Sequence, residues 1–145
     1  MSAATDCAYL AGLIDGEGSI MANQKHERRP GHSPATWSEL RVDISNTDRG
    51  LIDWVNERWP GKVRVQVRPG VKDTWHYYLN TQQVVPLLEA ALPYLVSKRE
   101  RAELALELAR GTRNPGRAGY PPEVRERRRW IGERIRELNR KGRAA

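Results

Sequence analysis

The chain has 145 residues, 39% of them hydrophobic, enough for one domain of ordinary size with its own core. Twenty-five Lys and Arg stand against eighteen Asp and Glu, a net charge of +7, which points to a polyanionic partner, most often nucleic acid, over a merely solvated basic face. A single Cys7 excludes an internal disulfide and a cysteine-rich zinc site, and the absence of a long apolar run or a signal-peptide pattern leads us to expect an intracellular protein of cytoplasm, nucleoid or organelle matrix that is not secreted.

The charge is unevenly placed. Residues 1–95 carry ten basic and eleven acidic side chains; residues 96–145 carry fifteen and seven, net +8. In chain order, Thr5 is a cap for a first helix running to about Ile14. Residues 17–25 and 37–45 read as strands joined by the polar loop HERRPGHSPAT, which holds His26 and His32. NTDRGLIDWVNERW opens with cap residues and spaces Leu51, Ile52, Val55 and Trp59 along one helical face. KVRVQVR alternates, and DTWHYYLN follows across a Pro-Gly turn to complete a hairpin. TQQVVPLLEAALPYL is helical, and Ser97 with Glu100 forms a capping box for KRERAELALELARG. The Gly- and Pro-rich stretch 113–122 separates a core of residues 1–112 from a basic C-terminal helix, 123–145, that packs on the same domain. That helix carries Val124, Ile131, Ile135 and Leu138 on one side.

The first helix poses the sharpest question. On a helical wheel Tyr9, Leu10, Leu13 and Ile14 gather on one side, and Ala8, Ala11, Gly12 and Asp15 on the other. The large side suits the domain's own sheet. The small side is a flat strip with Gly12 at its middle, and a glycine inside a helix costs about 1 kcal/mol against alanine. Close approach of another helix compensates that cost better than a bulky neighbour of the same subunit. Asp15 and Glu17 then stand at the helix C-terminus, the negative end, where carboxylates are misplaced for stability. Two such helices crossing at a two-fold axis would bring four acids together and recruit a hard divalent cation, Mg2+ above all. Taken singly, Asp15 also reads as a turn-maker and Glu17 as a solvated strand start. Lys98 is the mirror oddity, a cation at the positive end of a helix, which suits a phosphate-rich site or a plain surface lysine.

At these residues the chain resembles a known family. YLAGLIDGEGSI is similar to the signature of the LAGLIDADG homing endonucleases, and LPYL before Lys98 and the ELNRKG ending also look like members of it. With one copy of the motif, the chain resembles the single-motif, homodimeric branch. The resemblance implies an α+β, αββαββα fold whose antiparallel β-saddle sits in the DNA major groove, followed by C-terminal helices, with the motif helices (residues 8–16) forming the dimer interface. It implies that Glu17, where Asp is usual, binds the divalent metal, Mg2+ with Mn2+ able to substitute, with Gly16 at the accompanying metal position. Gly12 and Asp15 become structural motif residues, Asp15 shaping the helix end. Asn46 falls where a polar residue orders water, Lys98 matches the basic residue before the last core helix, and a further basic position falls on Arg49 or Gly50.

If the valines of KVRVQVR face the core, Arg64, Gln66 and Arg68 face out together. Met21, Asn23 and Lys25 share one face of the first strand and Glu39, Arg41 and Asp43 one face of the second. In the fourth, Trp75, Tyr77 and Leu79 form the buried set, leaving His76 and Tyr78 outside. Arg suits guanine and Gln adenine in the major groove, so this mixed polar face reads as base-reading, and the basic C-terminal part as a source of attraction to the DNA backbone. The expected function is a homodimeric, intron-encoded type of endonuclease making double-strand breaks in a palindromic or pseudo-palindromic DNA site by metal-dependent hydrolysis. The alternative is an RNA maturase or DNA-binding regulator on the same fold without cleavage.

Overall fold

The structure is a computed structural model and describes residues 3–27, 35–111 and 119–144. Most of the loop predicted between the first two strands, with His32, and most of the linker predicted at 113–122 lie outside the described residues.

Helix α1 (Ala3–Glu17) leads straight into β1 (Gly18–Glu27), followed by β2 (Ala35–Asn46), α2 (Arg49–Arg58), β3 (Lys62–Gln66), β4 (Thr74–Asn80), α3 (Val84–Ala91), α4 (Arg99–Arg110) and α5 (Pro122–Ala144). Short 3₁₀ turns, Thr81–Gln83 and Leu92–Tyr94, bracket α3. The four strands form one antiparallel sheet in the order β1-β2-β4-β3. This is the predicted α+β, αββαββα core with further helices after it.

Alternation along the strands fixes the two faces of the sheet. Ile20 and Ala22, Leu40, Val42 and Ile44, and Tyr77 and Leu79 are buried on the inner face against α1, α3, α4 and α5. Tyr77 is the largest fully buried side chain. Its hydroxyl donates to the Trp59 carbonyl at 2.6 Å, and burial pushes its phenol well above the ordinary value. Val63 and Val65 point inward as predicted but stay 38% and 40% exposed, because β3 is an edge strand with little above it. The predicted alternation runs two residues too far. The strand ends at Gln66, so Val67 is exposed and Arg68 lies beyond the sheet.

Gly18 makes the α1–β1 junction possible: a Cβ there would stand 2.8 Å from the Ile14 Cα. Helix α2 is capped by Asp48, whose carboxylate accepts from the Gly50 amide at 2.9 Å, and it buries Ile52 and Val55. Helix α5 buries Ile131 and Ile135 in the common core and lies along the outer edge of β1. There Arg136 donates to the Ala22 carbonyl at 2.9 Å and Asn139 to the Ile20 carbonyl at 3.0 Å, occupying strand acceptors that no neighbouring strand takes. Gly132 brings α5 so close to Ser38 that a Cβ would collide with its Oγ and Cβ.

Three local expectations are corrected. α1 is already helical at Ala3, so Thr5 is not its cap, and the helix continues to Glu17 rather than Ile14. Its buried face is Leu10, Ala11 and Ile14, while Tyr9 is 45% exposed against Trp54. The helix is rotated from the predicted orientation, and Ala11 belongs to the core; Ala8 and Gly12 remain on the exposed strip. The capping box at Ser97 and Glu100 does not form: the Ser97 hydroxyl donates to Asp15, and Glu100 pairs with Arg134 at 2.8 Å. Cys7 is half-buried and His26 belongs to β1.

Candidate nucleic-acid interface and metal site

The C-terminal end of α1 is built from three chain segments. Glu17 is exposed, and its Oε2 accepts from Asn46 Nδ2 at 2.7 Å. Asn46 closes β2, and its own Oδ1 accepts from the Asp48 amide at 2.7 Å, so the turn into α2 fixes the amide that orients Glu17. Asp15 points away from Glu17's partner, toward the start of α4. It accepts from the Val96 amide at 2.8 Å, the Lys98 amide at 3.0 Å and the Ser97 hydroxyl at 3.1 Å. Partial burial on its own would raise the Asp15 carboxyl, but these hydrogen bonds outweigh it and hold the group below its usual value. In return Lys98 Nζ donates to the carbonyls of Ile14 at 3.0 Å and Asp15 at 2.8 Å. Burial, then the charge of Arg101, lower the Lys98 amine, with Asp15 opposing them.

Two of the three residues that looked misplaced, Asp15 and Lys98, are therefore placed well. Asp15 sits at the negative end of its own helix but faces the positive end of α4; Lys98 does the converse. Both Asp15 oxygens already accept hydrogen bonds from the start of α4. Among the described residues no three His, Cys, Asp or Glu side chains converge as a metal site, so one chain offers the exposed Glu17 as its single carboxylate there. Gly12 and Gly16 each have open space where a Cβ would stand, so none of the described residues packs on the strip there.

The sheet's outward face holds most of the predicted reading residues in one register. Met21 lies opposite Arg41 and Asn23 opposite Glu39; Lys25 continues the β1 row. Arg41 lies opposite Asn80 and Asp43 opposite Tyr78, while Arg64 lies opposite His76 and Gln66 opposite Thr74. These residues are not independent. Arg41 pairs with Asp43 at 3.1 Å and stacks over Tyr78 at 4.1 Å. Ser45 donates to Asp43 at 3.1 Å and meets His76 Nδ1 at 2.6 Å, and His76 Nε2 meets Gln66 Oε1 at 3.2 Å. Arg49 opens α2, stacks on Trp75 at 4.7 Å and pairs with Asp53 at 3.6 Å; Arg68 is outside this array. Ser45 and Lys62 join the face without having been predicted, although continuing each alternation by two residues would have found them.

No protein-family model and no curated protein sequence matches the chain. Solved structures do. The homing endonuclease I-CvuI, in complex with an I-CreI target, superposes with a TM-score of 0.72 at 22% identity, covering 94% of this chain and 83% of the other. The archaeal intron-encoded homing endonuclease I-Vdi141I, complexed with DNA, gives 0.70 at 16% identity over 92% and 84%. I-TnaI, another homing endonuclease, gives 0.57 at 16% over 93% and 96%. The chain has the LAGLIDADG homing endonuclease fold. In that fold, the signature-like segment, residues 9–20, is the C-terminal part of α1 and the start of β1.

Proposed function

We propose that the chain is a sequence-specific DNA endonuclease of the single-motif LAGLIDADG family, acting as a homodimer through residues 8–16 with a divalent cation, Mg2+ or Mn2+, as cofactor. The observation that carries this reading is Glu17: an exposed carboxylate, oriented by Asn46 at 2.7 Å, at the tip of a helix whose small-residue strip is bare. The fold it shares with DNA-bound homing endonucleases supports the substrate class.

The donors fit a hard cation. The Glu17 carboxylate and the Gly16 carbonyl supply oxygen, and a second α1 crossing at Gly12 would supply the same set again. When bound, a divalent ion supplies charge neutralisation at a phosphodiester. The rest falls to the chain's own side chains. Asn46 holds Glu17 in place. Lys98, with two N–H groups on carbonyls, keeps one for a phosphate oxygen or a water. Arg49, at the rim, adds positive charge. The outward face, from Met21, Asn23, Lys25, Glu39, Arg41 and Asp43 to Arg64, Gln66 and His76, supplies donors and acceptors for base edges.

A selection of cleaved sites from a randomised DNA library in Mg2+, with Ca2+ as the binding-only arm, tests the reading. Cut palindromic sites with the wild type, and uncut but bound DNA with Glu17→Gln, are expected. Bound but uncut DNA with the wild type overturns the endonuclease reading and leaves a binding protein on this fold.

A further inference from the structure

Arg41 projects from the middle of β2 on the outward face, between Met21 of β1 and Asn80 of β4. Its guanidinium is held from two sides. Nε and Nη2 both donate to Asp43 Oδ2, at 3.4 and 3.1 Å, and Cζ lies over the Tyr78 ring, 4.1 Å from its centroid. Asp43 is fixed in turn, because its Oδ1 accepts from the Ser45 hydroxyl at 3.1 Å. The two side chains of the pair are only 25% and 18% exposed. Arg64, on the edge strand, is exposed by contrast. Binding DNA would have to order Arg64, whereas Arg41 is already ordered by folding.

The way Arg41 is held decides which edge it offers. A guanidinium carries five N–H donors in one plane. Asp43 takes the Nε–H and one Nη2–H, which leaves both Nη1 hydrogens and the other Nη2–H pointing away from the carboxylate. Two parallel donors on one edge match guanine N7 and O6; adenine sets its own amino donor where guanine has O6. The same pairing disfavours a phosphate. Asp43 balances the charge of Arg41, and a phosphate contact would bring a second anion up against that carboxylate. Asp43 by itself would suit the cytosine amino group. Both its oxygens, however, already accept hydrogen bonds from Arg41 and Ser45.

We propose that Arg41 selects guanine at one position of each half-site, and that Asp43 is its positioning residue and not a second base reader, with Tyr78 as the shelf beneath the guanidinium. This deepens the endonuclease reading and rests on the DNA binding that it includes.

Binding selection with the full chain on a randomised duplex library in Ca2+ tests the pair. The wild type enriches guanine at a position where Arg41→Ala lowers the preference at least about ten-fold. Asp43→Ala weakens guanine at that same position at least about three-fold, and the double variant is no worse than Arg41→Ala alone. Because Asp43→Ala also removes an anion from the DNA-facing surface, it binds unrelated duplex more tightly, which a merely loosened fold would not do. Tyr78→Leu lowers the guanine preference, and Tyr78→Phe, which keeps the ring, does not. The double variant removes a neutral pair and keeps the wild-type slope of log K against log salt; a slope reduced by about one would make Arg41 a phosphate contact and overturn the proposal. So would an Asp43→Ala that loses cytosine at a different position while guanine stands. A wild type that enriches sites whose composition none of these substitutions changes overturns this proposal alone. A wild type that prefers no duplex overturns the DNA reading and this proposal with it.

Discussion

Asp15 and Lys98 cap each other's helices. The Asp15 carboxylate takes the Val96 and Lys98 amides at the start of α4, and the Lys98 ammonium takes the last carbonyls of α1. Eighty-three residues of chain separate the two, and the clasp sets where α1 ends.

Breaking the clasp should cost stability. Asp15→Ala removes a side-chain cap, for which about 1 kcal/mol is typical. Lys98→Met should cost a similar amount through two lost hydrogen bonds. Because both act on one junction, urea denaturation of the double variant should show a coupling of at least about 0.5 kcal/mol. Strictly additive losses would contradict the reciprocal arrangement.

Gly12→Leu separates folding from association. Among the described residues nothing outside its own helix turn lies within 4 Å of the position a Cβ would take, so the protomer should fold with unchanged or slightly raised stability. Sedimentation should nevertheless show a dimer for the wild type and a monomer for the variant. A variant that still dimerises would place the interface elsewhere.

Gly132→Ala should do the opposite of what helix propensity suggests. Propensity favours alanine by about 1 kcal/mol. The new methyl group would collide with Ser38, and overpacking of this kind typically costs about 1–3 kcal/mol. Thermal melting should show a net loss, partly restored by adding Ser38→Gly.

Arg64 tests the reading face without touching the core. It is exposed on the edge strand β3, opposite His76. Arg64→Ala should leave the melting temperature in place and relax base preference at one position of each half-site, at a cost of about 1–3 kcal/mol for the preferred base. Binding to a randomised half-site library reads this directly. An unchanged preference would remove Arg64 from the reading set.

Much of this was legible in the sequence because period-two alternation is insensitive to context. Once Val42 and Ile44 face the core, Arg41 and Asp43 must face out, and the register bears this out. The signature segment likewise announced the fold. What failed needed information from distant residues. The rotation of α1 is set by what packs on it, and a wheel drawn on Tyr9 and Leu13 cannot know that Ala11 is the better fit. Lys98 looked wrongly placed because its partners are carbonyls of α1, and backbone groups leave no mark in a residue pattern. The basic helix read as uniform charge because the pairing of Arg134 with Glu100 and of Arg127 with Glu107 does not follow from its own spacing.

The lateral cover that Arg136 and Asn139 place on β1 has a consequence for assembly. Strip α5 away and Ile20 and Ala22 would offer bare acceptors to any passing strand, so a shortened chain should polymerise sheet to sheet instead of pairing helix to helix.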